Sequence, residues 1–208
     1  IMKRLKEKKP DMIFGIMGCM AQRCGDELLK KIPHLDFAVG TDNIHALPEI
    51  FEDLAKERAK IRKDTRFGAD TPGIDAHRVE EAAKPYCAFI SISRGCNRFC
   101  SYCIVPYVRG REISRTKDSI MAEARELVSK GVKEIMLLGQ NVNSYGKGLV
   151  KGMTFAELLR EVNAIPGDFR LKFMTSHPKD LTEEVINEIS TQDKLAKYIH
   201  LPIQSGSN

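Results

Sequence analysis

The chain has 208 residues, of which 42% are hydrophobic and 29% charged, and its formal net charge is +5. These values are ordinary for a soluble globular protein with one sizeable core or two modest ones. No apolar run approaches the ~20 residues that a membrane span requires, and residues 1–4 lack the form of a signal peptide. We therefore expect a cytoplasmic protein. Its six cysteines do not suggest a disulfide framework, because cytosolic thiols stay reduced.

The first 65 residues predict a small α/β unit. Apolar runs indicate strands at 12–17 and 37–40, and helical patterns cover 26–32 and about 47–54. Asp42 or Asn43 is placed to cap the later helix, and the basic opening resembles a helix end. Residues 66–85 are polar and broken by Pro72, Gly73 and Pro85. This composition is typical of a linker, so we place a domain boundary there.

From residue 86 onward, the pattern alternates between strand and helix. The predicted strands are 88–93, 134–138, 171–175 and 198–201, and the predicted helices are 118–130, 155–164 and 182–190. Asp118 and Thr154 stand where helix N-caps belong, and Gly131 stands where a C-cap belongs. Repeated strand–helix units indicate a parallel sheet, either open or curled into a barrel. Because the chain stops after the fourth strand, we expect this sheet to be incomplete.

Three cysteines lie within eight residues directly after the first of these strands. Cys96, Cys100 and Cys103 have the spacing C-x3-C-x2-C. Three thiolates on one loop can hold three irons of a cubane cluster and leave the fourth iron open. Loops at the carboxyl ends of parallel strands are where α/β proteins build their sites. The spacing therefore predicts an iron–sulfur cluster at this loop.

A structural zinc site is the competing interpretation, with Cys87 as the fourth ligand. However, Cys87 precedes the strand and the three cysteines follow it. A six-residue strand would separate them by roughly 20 Å, at ~3.3 Å per residue. Zinc is therefore disfavoured, and we predict Cys87 to be a small core residue.

Polar side chains follow every predicted strand of the second half. They are candidates for a cofactor pocket, since the carboxyl ends of parallel strands meet at one edge. Turn formation, capping and a satisfied histidine are the alternative explanations for each residue taken alone. The candidate cofactor-binding residues are Gln140, Asn141, Ser176, His177, His200 and Gln204.

Five arginines and one carboxylate, Glu112, lie between residues 94 and 115. A positive stripe of this kind suits a phosphate backbone or an anionic cofactor, and a solvated loop is the alternative. The arginines are Arg94, Arg98, Arg109, Arg111 and Arg115.

With these motifs together, the chain resembles the methylthiotransferase family of radical S-adenosylmethionine enzymes over essentially its whole length. The matching segments are GCMAQR at 18–23, VGTDNI at 39–44, SISRGC through CIVPYVRGRE at 91–112, and LGQNVNSY at 138–145. The last segment is similar to the branch that acts on tRNA and unlike the branch that acts on a ribosomal-protein aspartate.

The resemblance implies an α/β chain in which the remnant of a small amino-terminal cluster domain (1–65) precedes an incomplete (β/α) partial barrel of the radical S-adenosylmethionine type (86–208). It implies that Cys96, Cys100 and Cys103 hold a 4Fe–4S cluster whose open iron chelates S-adenosylmethionine. Tyr102 would lie against the adenine of that cofactor. Cys19 would be one ligand of a second, auxiliary 4Fe–4S cluster that donates sulfur.

The implied reaction adds a methylthio group to carbon 2 of N6-isopentenyladenosine beside the tRNA anticodon. Expected partners are the tRNA anticodon loop and an electron donor such as flavodoxin or ferredoxin, without a membrane. A single-stranded loop base can be splayed into a pocket, which a duplex base resists. The arginines expected to contact RNA phosphates are Arg94, Arg109, Arg111 and Arg115.

The sequence departs from the family in two ways. The auxiliary cluster needs three cysteines, and only Cys19 matches a ligand position, since Cys24 fits an incidental thiol better. The carboxyl-terminal RNA-binding domain is also missing. We therefore expect a fragment that cannot complete methylthiolation alone. Alternative functions are methylthiolation of threonylcarbamoyl-adenosine in tRNA or of a ribosomal-protein aspartate, and a zinc-stabilised nucleic-acid-binding module without catalysis.

Overall fold

A computed structural model of the chain describes residues 2–56, 62–65, 86–149, 152–204 and 206. The described residues divide into two compact units. The first unit contains the residues up to 65 together with Phe99–Gly110, and the second contains those from 86 to 98 and from 111 onward. The predicted linker at 66–85 lies outside the described residues, and the domain boundaries stay a prediction. Among the described residues, no helix is long and apolar enough to cross a membrane.

The first unit is built on a parallel three-stranded sheet in the order β1-β2-β3. Its strands are β1 (Gly15–Met17), β2 (Phe37–Val39) and β3 (Arg62–Asp64), and its helices are α1 (Met2–Lys8), α2 (Cys19–Lys31), α3 (Leu47–Lys56) and α4 (Val105–Val108). Phe37 and Val39 from the central strand pack with Ile50 and Leu54 of α3 in a small core. The short strands and small core follow from the short apolar runs of this segment.

The first unit differs from the sequence analysis in one predicted helix start and in two elements that were not predicted. Helix α2 starts at Cys19 rather than at 26, because Gly18 turns the chain with φ 92° and the helix then continues through a kink at Cys24. Strand β3 was not predicted, because its three residues are charged and carry no apolar pattern. A short 3-10 turn, Ile44–Ala46, precedes α3.

The second unit contains a parallel sheet in the order β4-β7-β8 and a two-stranded antiparallel hairpin. The sheet strands are β4 (Cys87–Ser91), β7 (Glu134–Leu138) and β8 (Arg170–Phe173), the hairpin strands are β5 (Ser93–Arg94) and β6 (Ile113–Ser114), and the helices are α5 (Lys117–Ser129), α6 (Phe155–Asn163) and α7 (Glu183–Thr191). Alternate strand residues such as Ile90, Ile135 and Leu171 are buried in one core with Phe155 of α6. This period of two is what a sheet covered by helices on one face requires.

The helix boundaries in this unit agree closely with the sequence patterns. Thr154 caps α6 through a full capping box with Glu157, as predicted. Helix α5 is capped by Thr116 and not by Asp118, because the extended Thr116 accepts a hydrogen bond from the Ser119 amide. Gly131 follows the end of that helix with φ 82°, which suits a glycine.

The predicted fourth strand at 198–201 is wrong. The chain instead makes an isolated parallel bridge earlier, between Leu171 of β8 and Leu195. Leu195 is the buried residue of this segment, whereas Tyr198 and Leu201 are exposed, so the apolar pattern was assigned to the wrong residues. The prediction of an α/β chain with parallel sheets is confirmed.

Candidate functional site

The loops that leave the carboxyl ends of β4, β5 and β7 are tied together in the second unit. The Gly95 amide, next to Cys96, donates to Gln140 Oε1 at 2.6 Å. A Cβ atom on Gly139 would collide with Ser93 Oγ, so the two loops approach each other more closely than a side chain at 139 would allow. The cysteine loop therefore starts at the edge of the sheet where ligands bind in α/β folds.

The loop after β8 is joined to the same edge through Thr175. Its hydroxyl donates to the Gly139 carbonyl at 2.6 Å, and its own carbonyl accepts from the Val142 amide at 3.1 Å. Thr175 adopts φ 67°, a conformation that β-branched residues avoid. Strained residues of this kind persist only where surrounding contacts enforce them, and they cluster at functional sites.

Several buried polar atoms at this edge have no hydrogen-bond partner within the described part of the chain. Leaving such an atom unsatisfied costs about 1–3 kcal/mol. A concentration of them therefore indicates that a polar ligand completes the edge. The atoms are Ser93 Oγ, Glu112 Oε1, Asn141 Oδ1, Asn143 Nδ2, Ser176 Oγ and His200 Nδ1.

Three of the six strand-end residues proposed from sequence, Asn141, Ser176 and His200, carry such atoms. Gln140 is already engaged by Gly95. His177 Nδ1 accepts from the Lys179 amide at 3.2 Å and so begins a 3-10 turn. Gln204 has φ 73° near the end of the described residues, and Tyr102, in the first unit, is largely exposed.

The three cysteines of the motif differ in environment. Cys96 is buried, and its Sγ accepts a hydrogen bond from the Arg98 amide at 3.3 Å. Cys100 and Cys103 are half-buried, and the Cys103 amide donates to the Cys100 carbonyl at 2.9 Å in a tight turn. None of the six cysteines, all within the described ranges, forms a disulfide. Three reduced thiols on one loop are the donor set that a 4Fe–4S cluster with an open iron requires.

The side chains that could bind a metal ion are spread out. Across the described ranges, no group of three or more His, Cys, Asp or Glu side chains is already gathered around one point. Three thiols on one loop nevertheless have the donor chemistry that an iron–sulfur cluster requires.

The remaining cysteines lie elsewhere. Cys87 is at the amino end of β4, half-buried, and its thiol donates to Glu134 Oε1 at 3.7 Å. Burial and the neighbouring Glu134 carboxylate raise the pKa of that thiol. Cys87 is thus a half-buried residue at the start of a strand, with a polar partner, and not the core residue that was predicted. Cys19 begins α2, and Cys24 at its kink donates to the Met20 carbonyl at 3.1 Å.

Asp180 is the most heavily bonded carboxylate of the site, and sequence reasoning missed it. It follows β8 in a short 3-10 turn and is only 4% exposed. Its oxygens accept from Arg98, from Lys147 at 2.6 Å and from Asn141 at 2.7 Å. Burial alone would raise the pKa of the Asp180 carboxyl, but these hydrogen bonds outweigh burial and hold that pKa well below its ordinary value. The sequence offered one sign of Asp180 as a site residue, which is its position two residues after His177-Pro178, just beyond a predicted strand.

Glu112 is the second carboxylate at this edge. Ser144 Oγ donates to its Oε2 at 2.6 Å, and its amide donates to Asn97 Oδ1 at 3.2 Å. Burial raises the pKa of Glu112, and the hydrogen bond from Ser144 offsets part of that increase. The sequence analysis identified Glu112 only as the one carboxylate among the arginines of residues 94–115 and did not predict a role for it in the site.

The arginines of the stripe differ in their exposure to solvent. Arg109 and Arg111 are exposed, and Arg94 is half-buried. Arg115 is buried and donates to Glu123 at 2.6 Å, to the Ser91 carbonyl and to Ser119. The prediction that Arg115 contacts RNA is therefore wrong, because a carboxylate on α5 draws its side chain inside.

Comparison with known proteins identifies the family. The family model of the Radical SAM superfamily matches residues 90–208. A tRNA-2-methylthio-N(6)-dimethylallyladenosine synthase of Syntrophus aciditrophicus is 50% identical over 206 residues, which are 99% of this chain and 44% of that protein. Proteins of the same name from Clostridium botulinum (strain Langeland) and Geotalea uraniireducens are 49% and 48% identical. The alignments cover 100% and 99% of this chain and 46% of each protein, so the chain spans less than half the length of these relatives.

Two solved structures share the fold at low sequence identity. The methyltransferase TsrM from Kitasatospora setae, with tryptophan and a SAM analog bound, matches 97% of this chain and 44% of its own, with a TM-score of 0.66 at 16% identity. The cobalamin-dependent S-adenosylmethionine radical enzyme OxsB matches 100% of this chain and 37% of its own, with a TM-score of 0.51 at 15% identity. These two likenesses concern the fold alone. The family match shows that the chain belongs to the radical S-adenosylmethionine superfamily, whose cofactors are a 4Fe–4S cluster and S-adenosylmethionine.

Proposed function

We propose that the full-length protein is a radical S-adenosylmethionine methylthiotransferase that modifies carbon 2 of N6-isopentenyladenosine beside the anticodon of tRNA. The observation that carries the proposal is Cys96, which follows the carboxyl edge of the β4-β7-β8 sheet in the second unit, where buried, unsatisfied polar atoms are concentrated. The names of relatives 48–50% identical across this chain support the choice of substrate.

In this proposal, Cys96, Cys100 and Cys103 ligate the cluster through their thiolates. The Arg98 amide donates to Cys96 Sγ and so orients that ligand. Asn141, Ser176 and His200 offer their unsatisfied polar atoms to the bound S-adenosylmethionine. When bound, the reduced cluster and S-adenosylmethionine supply the radical that removes hydrogen from the base. The protein contributes position and the exclusion of water.

A second, auxiliary cluster is part of the same proposal. Cys19, at the start of α2, supplies one ligand. The other ligands then come from parts of the full-length protein outside these 208 residues. Cys24 is not assigned to it, since its thiol is hydrogen-bonded within its own helix.

Nucleoside analysis tests the substrate directly. tRNA from cells that lack the full-length gene is compared with tRNA from cells that regain it, or regain a Cys96→Ala version. We expect the methylthio form of isopentenyladenosine to disappear, to return with the intact gene, and not to return with the variant. Loss of methylthio threonylcarbamoyl-adenosine instead, or an unchanged nucleoside profile, would reject the proposal.

Arg109 and Arg111 are proposed to contact RNA phosphates, since both are exposed. We expect the double change Arg109→Glu and Arg111→Glu in the full-length protein to weaken binding of an anticodon stem-loop by about tenfold or more. The log–log salt slope should also fall by about 0.7–0.9 for each phosphate that the variant no longer neutralises. Fluorescence anisotropy at several salt concentrations measures both quantities.

The matched control reverses two exposed lysines, Lys30→Glu and Lys31→Glu, at the end of α2. This control changes the net charge by the same amount. Equal loss of affinity in the two variants would mean that net charge alone attracts the RNA, and the assignment of these two arginines would then fail.

A further inference from the structure

The cysteine loop and the loop after β7 are separate in sequence, yet both are hydrogen-bonded to the side chain of Asp180. Arg98, two residues after Cys96, donates through Nε to Asp180 Oδ2 at 2.8 Å and through its terminal nitrogen to Oδ1. Asn141, after β7, donates through Nδ2 to Asp180 Oδ2 at 2.7 Å. The Asp180 side chain is 2% exposed, so water does not compete for these bonds.

Two of the three partners of Asp180, Arg98 and Asn141, lead directly to the site. The Arg98 amide donates to Cys96 Sγ, so the position of the Arg98 backbone affects a cluster ligand. Hydrogen bonds to cluster sulfurs are among the interactions by which a protein tunes such a site. On the other side, anchoring Asn141 Nδ2 leaves its buried Oδ1 unsatisfied and therefore available to a ligand.

The charge balance explains why a carboxylate is needed at this position. Arg98 and Lys147 bring two positive charges to one buried oxygen pair, and Lys147 Nζ lies 2.6 Å from Asp180 Oδ1. A neutral amide at this position would offer one acceptor in place of two and would place an N–H group against these donors. Removing one member of a buried charged network leaves the other members uncompensated.

We infer that Asp180 is a positioning residue, which holds the cysteine loop through Arg98 and the loop after β7 through Asn141 in the geometry that binds S-adenosylmethionine. This inference rests on the proposed function. Asp180 acts through these two residues and is not assigned a contact with the cofactor.

The test uses full-length enzyme with reconstituted, reduced clusters and the variant Asp180→Asn. S-adenosylmethionine is titrated while the electron paramagnetic resonance signal of the reduced cluster and the yield of 5′-deoxyadenosine are recorded. We expect the variant to retain its iron and sulfide but to need about tenfold more S-adenosylmethionine for the same spectral change.

Glu188→Gln is the matched control. Glu188 is 3% exposed and also accepts from an arginine, Arg160, and from Gln192 at 2.6 Å, but it lies on α7, and these partners belong to α6 and to the end of α7. Both variants lose one buried, arginine-paired carboxylate, so a general loss of stability affects both. The inference predicts an altered S-adenosylmethionine response in Asp180→Asn alone and is overturned if the two variants respond at the same concentration.

A second variant covers the case in which Asp180→Asn fails to fold. Arg98→Gln removes the same ion pair from the other side and should also weaken binding about tenfold. The double variant should be no worse than either single variant, whereas a hundredfold loss would show that Asp180 does not act through Arg98. If the wild-type spectrum itself does not respond to S-adenosylmethionine, the proposed function fails. If it responds and the variants match the control, only the positioning inference fails.

Discussion

Replacement of Cys96, Cys100 or Cys103 by alanine is expected to abolish cluster assembly in this chain. The wild-type chain, reconstituted with iron and sulfide under anaerobic conditions, should bind about four irons, because three thiolates suffice for a cubane with an open iron. Two thiolates do not hold such a cluster, so each single variant should lose essentially all bound iron. Iron and sulfide analysis measures this loss. The broad absorption of such clusters, at about 400 nm, should disappear with the iron.

Cys24→Ala and Cys87→Ala are the controls. Cys24 is hydrogen-bonded within α2, and Cys87 lies at the amino end of β4, at the opposite end of the strand from the motif. Both variants should bind as much iron as the wild type. A colourless wild-type chain that binds one zinc ion, and loses it in Cys87→Ala, would instead support the zinc-stabilised module.

Phe155→Ala is expected to have the largest effect on stability. Phe155 is 2% exposed at the start of α6 and contacts Phe173 of β8 edge to face, with ring centroids 5.1 Å apart. Truncation removes this ring packing and leaves a cavity between helix and sheet. Such changes cost about 3–5 kcal/mol of unfolding free energy. Chemical denaturation followed by circular dichroism measures the difference.

Phe89→Ala is the corresponding surface control. Phe89 is in the central part of β4, yet its side chain is 61% exposed in this structure. Its truncation should change the free energy of unfolding by less than about 0.5 kcal/mol. If Phe155→Ala is as mild as this control, then Phe155 does not belong to the core that unfolds cooperatively.

Much of the fold was accessible from local patterns. Strand β7 has the predicted boundaries, and the ends of α6 and α7 differ from prediction by at most one residue. Strand β7 is an apolar run, and the two helices have apolar periodicity and hydroxyl N-caps, all of which are local signals. Strand β3 has no such signal, because a short charged strand is specified by its neighbour β2. The strand predicted after α7 was wrong for a similar reason, since only the bridge to Leu171 identifies Leu195 as the buried residue.

Part of the candidate site was also predictable from local sequence patterns. The cysteine motif and the polar strand ends are contiguous in sequence, so their placement followed from the order of strands. Asp180 and Glu112 depend on partners far along the chain, Arg98 and Ser144 respectively. The burial of Arg115 depends on Glu123, which no charge count along the sequence reveals. Long-range pairing of charged groups is a tertiary property, and local composition does not encode it.

The conformation of Thr175 has a consequence for protein engineering. A β-branched residue with φ 67° costs stability on the order of 1–3 kcal/mol, and glycine would remove that cost. Yet the threonine hydroxyl also joins the ends of β7 and β8 through the Gly139 carbonyl, in addition to the backbone bond from the Val142 amide. A design method that ranks positions by backbone strain would therefore replace Thr175 early, and the resulting protein would lose the side-chain bond between its two strand ends.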